Sequence, residues 1–256
     1  MLNLKAQIVL TPSESKRLIA KAVSQMERVK NAMQKGIVVI CRGSTNAFLT
    51  EELTGQKMNK RNFALGYIGP KGLIVNLNNL KDIVLIDGKP NTDLALADVV
   101  KDLRTGDVVI KGANAIGPDG IPGVLLSRRR PDTFGGTLGA FQTAAMARGV
   151  EIIIPVGLEK SIPVSVLIGS KEISSSKVEY ATGIACGLVP VFGTVVTEVE
   201  AMRILSGVEV IPIGAGGVGG AEGSVVLLLK GTNSEVKQAI RIIEEIRGEP
   251  QLPEPR

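Results

Sequence analysis

Lys111, Asn114, Asp119, Arg128, Arg129, Arg130 and Asp132 fall in one stretch that ends at Gly135-Gly136-Thr137. Cations, an amide, carboxylates and small residues at that spacing are the parts of a site for an anionic small molecule. A cation or a pair of backbone N–H groups holds negative charge, and a carboxylate can shuttle a proton. A second set, Arg42-Gly43-Ser44-Thr45-Asn46, puts small residues and a cation just ahead of a helical segment, where free backbone N–H groups can meet an anion. An ordinary Ser/Thr helix cap has the same signature. Asp87 and Glu222 are two further carboxylates at strand ends, although Asp87-Gly88 is also a common turn signal and that reading is favoured for it.

These residues need elements to position them. Thr105–Val156 opens with the β-branched run Val108-Val109-Ile110, closes with Ile152-Ile153-Ile154 and holds an alanine-rich helical segment between, which predicts a parallel β-loop-α-β unit. Its loop from Lys111 to Gly136 far exceeds the roughly two to six residues usual for a βα connection. Long loops leaving the carboxyl ends of parallel strands are where such sheets hold ligands. Lys111 is therefore expected in a cleft with Gly112 and Asn114. Of the three consecutive arginines, which cannot all point one way, Arg130 is the one assigned to the site.

Composition narrows the chemistry. The chain has no histidine, so histidine-based triads and histidine–zinc sites are excluded. Acid–base work falls to carboxylates, lysine, cysteine or tyrosine, and any metal would be a hard one held by oxygen. Neither a metal nor a cofactor is expected. The two cysteines, Cys41 and Cys186, form no redox or metal spacing and read as buried free thiols. A net charge of +5 invites nucleic acid, but two tyrosines and five phenylalanines leave little to stack on bases, so that partner is not expected. No apolar run nears the ~20 residues of a membrane span. The first residues lack the pattern of a secretory signal. A cytoplasmic protein without membrane partners is the expectation.

In chain order, Thr11 and Glu14 form a capping box with Pro12 at the first helical position, opening a helix predicted to run to Gly36. Strands follow at 37–41, 63–68, 73–76 and 83–86, and a helix at 93–103. After Lys177 the pattern becomes strand (189–195), helix (197–205), strand (208–213), strand (224–229), helix (234–246), the order of a ferredoxin-like lobe. The expected fold is α/β: a mostly parallel Rossmann-like sheet flanked by helices over residues 1–176, with a C-terminal ferredoxin-like α+β lobe over residues 177–256. The glycine-rich stretch Gly214–Gly223 matches a dinucleotide fingerprint in letters, but a strand rather than a helix follows it, so it is not read as a cofactor site. A connector, or a hairpin that approaches the cleft, are its two readings.

Two stretches carry a family resemblance. Gly36-Ile37-Val38-Val39-Ile40-Cys41-Arg42-Gly43-Ser44-Thr45, followed by a helix ending Glu51-Glu52-Leu53, resembles the first strand-loop-helix of ribose-5-phosphate isomerase A. Asp107–Ile116 with Asp119-Gly120 and Gly136-Thr137-Leu138-Gly139 is similar to the isomerase domain of translation initiation factor 2B and methylthioribose-1-phosphate isomerase. The resemblance implies the superfamily that unites these isomerases with coenzyme A transferases, and a homo-oligomer. Under it, an isomerase would use Asp119 or Asp87 as proton shuttle, Lys111 as enediolate stabiliser, and Gly43–Asn46 with Gly135-Gly136-Thr137 as phosphate pocket. A coenzyme A transferase would use Glu222 as its nucleophilic carboxylate. Asn114 stands where the isomerases carry aspartate, the change a ligand-sensing, non-catalytic descendant would show.

Overall fold

The computed structural model describes residues 4–76, 81–92, 96–127, 136–174 and 177–255. In chain order the elements are β1 (Leu4–Leu10), α1 (Pro12–Gln25), α2 (Glu27–Lys35), β2 (Ile37–Ile40), α3 (Ser44–Thr54), β3 (Gly66–Gly69), β4 (Gly72–Val75), β5 (Ile83–Ile86) and β6 (Lys89–Asn91). Then come α4 (Leu96–Asp102), β7 (Val108–Ile110), β8 (Ala115–Ile116), β9 (Pro122–Ser127), α5 (Gly136–Arg148), β10 (Glu151–Pro155) and α6 (Val166–Glu172). The chain closes with β11 (Cys186–Pro190), β12 (Thr194–Val196), α7 (Glu198–Ser206), β13 (Glu209–Gly216), β14 (Ser224–Gly231) and α8 (Asn233–Ile246).

The strands form a six-stranded mixed sheet (β12-β10-β7-β2-β5-β6), two three-stranded antiparallel sheets (β1-β14-β13 and β11-β9-β8) and the β3–β4 hairpin. The expected mostly parallel Rossmann-like sheet with a ferredoxin-like lobe is thereby corrected. Among the described strands, parallel ladders join only β12, β10, β7 and β2. The other ladders are antiparallel, beginning with β2–β5 and β5–β6. The cause lies between α3 and β5. A parallel neighbour needs a crossover that returns the chain to the start of β2. Here the β3–β4 hairpin carries the chain back to the far end of β2, so β5 must start there and run the other way, with Ile83 opposite Ile40 and Ile86 opposite Ile37.

The C-terminal region departs from the ferredoxin pattern for a similarly local reason. The strand expected over 189–195 is two strands, β11 paired with β9 and β12 paired with β10. Between them sits Gly193, where an added Cβ would lie 2.4 Å from the Ile152 carbonyl oxygen, so only glycine lets the chain cross so close to β10. The strand that completes the β13–β14 sheet comes instead from the N-terminus, β1 running antiparallel to β14 from Leu4–Gly231 to Leu10–Val225.

The parallel strands are buried on both faces, which is why they read as unbroken β-branched runs. Val38, Ile40, Val108, Ile110 and Ile153 join the core that also holds α1, α7, α8 and the β1-β14-β13 sheet. Val39, Val109, Ile152 and Ile154 face a second core with Val99, Phe141, Val124 and Val191. α1 starts on the expected capping box, with the Thr11 N–H donating to Glu14 Oε2 (2.9 Å) and the Glu14 N–H to Thr11 Oγ1 (3.4 Å). The single helix expected to Gly36 breaks at Met26, whose extended backbone (φ −62°, ψ 132°) turns the chain into α2. Arg17 on α1 is buried and bonds Glu51 (2.6 Å), Glu52 (2.9 Å) and Glu249 (2.9 Å), clamping α1 to α3 and to the C-terminal tail.

Candidate functional site

A cavity of about 590 Å³ opens at the carboxyl ends of β2, β7 and β10, three of the four adjacent parallel strands. The strand ends are laced together beyond their ladders: the Cys41 N–H donates to Ile110 O (2.9 Å) and the Lys111 N–H to Ile153 O (2.9 Å). Each strand delivers a cation to the cavity wall, Arg42 after β2, Lys111 after β7 and Lys160 in the short 3-10 turn after β10.

The β2 loop builds the most polar wall. Gly43 is the N-cap of α3 and offers no side chain to the helix's first N–H groups, and the first intrahelical bond there is Ala47 N–H to Gly43 O (3.0 Å). The N–H groups of Ser44, Thr45 and Asn46 thus lie where no preceding carbonyl of the helix can take them. Gly43 is extended (φ 174°), and a Cβ there would meet nothing closer than 3.8 Å. Neither conformation nor crowding requires glycine; its effect is to leave the helix end uncapped. Asn46, fully buried, donates through Nδ2 to Cys41 O (2.7 Å) and Ile110 O (3.2 Å), riveting β2 to β7. Its Oδ1 and the Thr45 hydroxyl are buried and have no hydrogen-bond partner within the protein. Arg42 is held from behind by Asp82 at the start of β5, which accepts from the Arg42 backbone N–H (2.7 Å) and from Nε (3.1 Å).

The β7 side supplies Lys111, Gly112 and Asn114. Asn114 Oδ1 accepts from the Leu125 N–H (3.0 Å), which identifies the oxygen end of that amide and leaves Nδ2 as the donor end. Thr137, second residue of α5, lines the cavity near the Cys41 thiol. Burial, opposed by the charges of Lys111 and Arg42, pushes that thiol up to about 12, so Cys41 is a packing residue and not a nucleophile at neutral pH.

Lys160 donates to Ala113 O (2.8 Å). Loss of hydration pulls its ammonium down to about 8, with Glu159 opposing and Lys16 adding to the fall. Its turn is fixed by Glu198, whose Oε2 accepts from the Leu158 N–H (2.9 Å), and by the Lys16–Glu159 ion pair (2.6 Å). Burial raises the Glu198 carboxyl above its usual range. The rest of the lining is mainly aliphatic, with Tyr67, Ser127 and Cys186 among it. Leu65, Leu73 and Ile74 come from the β3–β4 hairpin, Leu125 and Leu126 from β9, and Ile184 precedes β11. The hairpin is pinned to that last segment by Leu73 N–H to Thr182 O (3.0 Å) and Ile184 N–H to Leu73 O (2.9 Å).

Of the residues singled out in the sequence, the cavity thus gathers Arg42, Gly43, Ser44, Thr45, Asn46, Lys111, Gly112, Asn114 and Thr137. Gly136 opens α5 beside Thr137. Arg130 and Gly135 lie outside the described residues, as do Arg128, Arg129 and Asp132. The three carboxylates assigned to catalysis do not line it. Asp119 sits exposed in the turn between β8 and β9, where Ser165 Oγ donates to its Oδ2 (2.6 Å) and holds its pKa below the ordinary value. Asp87 occupies the β5–β6 turn in a left-handed conformation (φ 49°), and because β5 is antiparallel this turn lies at the opposite end of the sheet. Glu222 is exposed in the β13–β14 turn and accepts from the Gly220 N–H (2.9 Å). Sequence reasoning missed Lys160 and Asp82. Lys160 could have been found by the rule that found Lys111, since it too follows an apolar parallel strand.

Among the described residues no carboxylate lines the cavity, and no group of three or more Cys, Asp or Glu side chains is placed to hold a metal ion. Among the same residues no helix is long and apolar enough to cross a membrane. No family model matches the chain, and no curated protein or solved structure matches it either. The resemblance to sugar-phosphate isomerases accordingly rests on the quoted residues alone.

Proposed function

We propose that this chain is a cytoplasmic protein that binds a small phosphorylated metabolite at the ends of β2, β7 and β10. The observation that carries the reading is the convergence of three cations, Arg42, Lys111 and Lys160, with the uncapped start of α3 and the unpartnered buried hydroxyl of Thr45. A phosphate group would accept from that hydroxyl and from the helix N–H groups while the cations neutralise it. Charge-assisted bonds of this kind each contribute about 1.5–3 kcal/mol.

Between catalysis and sensing, the site favours sensing. An aldose–ketose interconversion needs a carboxylate within hydrogen-bond reach of the substrate carbons. Among the described residues the lining offers amides, hydroxyls and ammonium groups instead, with Asn114 at the position where the resembled isomerases carry aspartate. Isothermal titration of inorganic phosphate and of pyrophosphate tests the proposal. Lys111→Ala should weaken binding roughly ten- to a hundredfold with the circular dichroism spectrum unchanged. No binding of either anion to the wild-type protein, or unchanged affinity in Lys111→Ala and Arg42→Ala alike, would refute it.

A further inference from the structure

The cavity is far larger than a phosphate group needs, and its lining residues are of two kinds. At about 590 Å³ it sits within the roughly 300–1,000 Å³ of sites that enclose a whole organic ligand. Most of the cations, hydroxyls and amides come from the strand ends and helix starts, whereas Leu65, Leu73, Ile74, Leu125, Leu126 and Ile184, with Tyr67 and Ser127 among them, come from the β3–β4 hairpin, β9 and the approach to β11. Leu65, Leu73, Ile74, Leu125, Leu126 and Ile184 are all half-buried, while the core residues of the neighbouring strands are sealed. Aliphatic side chains left partly open around a cavity are surface still to be covered. A sugar, with a hydroxyl on nearly every carbon, would desolvate those hydroxyls against leucine and isoleucine, each unmatched group costing free energy.

Resting on the phosphate reading above, we infer that the organic part of the ligand is an aliphatic chain, so that the ligand class is a short alkyl or branched-alkyl phosphate and not a polyhydroxylated sugar phosphate. The phosphate sits at Arg42, Lys111 and the α3 N-terminus, and the chain lies along the β3–β4 hairpin and β9.

Three probes separate this inference from the one it rests on: inorganic phosphate, glucose 6-phosphate and n-hexyl phosphate, each titrated calorimetrically into the full chain. Each methylene moved from water to an apolar wall strengthens binding by up to about fourfold. Hexyl phosphate should therefore bind at least about a hundredfold more tightly than phosphate, after allowance for ordering the chain. Glucose 6-phosphate should show no such gain. Ile74→Asn and Leu126→Asn should each reduce the hexyl gain by roughly tenfold or more while leaving phosphate affinity in place, and retained phosphate binding reports that the variant is folded. If one variant fails to fold, the other and the three-probe ranking still decide. Phosphate binding with hexyl phosphate no tighter, or with glucose 6-phosphate as tight as hexyl phosphate, overturns the aliphatic assignment alone. Binding of none of the three overturns the phosphate site and this inference with it.

Discussion

Thr45→Val separates a ligand-binding hydroxyl from a structural one. Thr45 is the second residue of α3, 3% exposed, and its Oγ1 has no protein partner. Valine matches its shape and its β-branching, and the two residues have similar helix propensities, so backbone and packing change little. A buried hydroxyl without a partner costs about 1–3 kcal/mol. Removing it should stabilise the free protein by about that much, a rise in Tm of roughly 2–12 °C for a chain of this size. Binding should move oppositely, because the variant lacks one charge-assisted bond to phosphate, a loss of about 1.5–3 kcal/mol or roughly ten- to a hundredfold in affinity.

The assay is thermal unfolding of both proteins with and without phosphate. At a phosphate concentration about 100-fold over Kd the wild type gains about 2.7 kcal/mol, and the variant at the same concentration gains far less. The two melting curves should converge or cross as phosphate is added. Thr45→Ser is the control that keeps the hydroxyl and with it the phosphate response. A Thr45→Val protein less stable than wild type, with an unchanged phosphate response, would refute the reasoning: the hydroxyl would then be satisfied within the protein and have no part in the site.

Further outcomes follow from the same structure. The Lys160 ammonium, lowered by burial to about 8, is charged below that pH and neutral above it, so phosphate affinity should fall as pH rises through about 8, and Lys160→Met should flatten that step in a calorimetric pH series. In the unliganded protein the same group has the opposite effect on folding: its folded pKa lies below the unfolded value near 10.5, the unfolded chain holds more protons between about pH 8 and 10.5, and stability rises across that window. Gly183 has φ +88° and an added Cβ would lie 2.2 Å from Leu73 O, so Gly183→Ala should prise the β3–β4 hairpin from residues 182–184, lowering Tm and abolishing the hexyl gain while phosphate still binds. Arg17→Met leaves Glu51, Glu52 and Glu249 without their shared partner, and urea unfolding should show a loss of about 3–5 kcal/mol. Although burial opposes it, Arg17, the Met58 N–H and Lys60 hold the Glu51 carboxyl at about 2, so its contribution to stability is full above about pH 5 and is lost as pH falls toward 2.

Most helices and core strands were legible because their signals are local. The Thr11–Glu14 capping box and the run Val108–Ile110 each act within a few residues. The break at Met26 was not legible, since the apolar period continues across it and only packing selects the extended backbone there. Nor were the sheet partners. Whether β5 runs with or against β2 depends on where a hairpin of some ten residues deposits the chain, and that is decided by what the hairpin packs on. The Leu4–Leu10 strand is invisible without its mate, since β14 lies more than 200 residues away.

The same distinction explains which site residues the sequence placed. Arg42 through Asn46 and Lys111 through Asn114 follow strands of one parallel set, and parallel neighbours deliver their carboxyl ends to one edge whatever else the chain does. The rule needs only strand identity and direction, and both were correct for β2 and β7. For β5 the direction was wrong, and that error made Asp87 a cleft candidate beside the favoured turn reading, which is the one the β5–β6 turn bears out. An antiparallel strand brings its first residue to that edge, so Asp82, which precedes β5, reaches Arg42, while Asp87, which follows it, ends at the other side of the sheet. The reversal also changes what a carboxylate can do there. Asp87 at the cleft would have been a base facing the ligand; Asp82 behind Arg42 is a counter-charge that orients a cation. One strand's direction thus decides whether this edge of the sheet carries a candidate base or a counter-charge behind a cation, and the observed direction supports the anion-binding reading proposed above over a proton-transfer one.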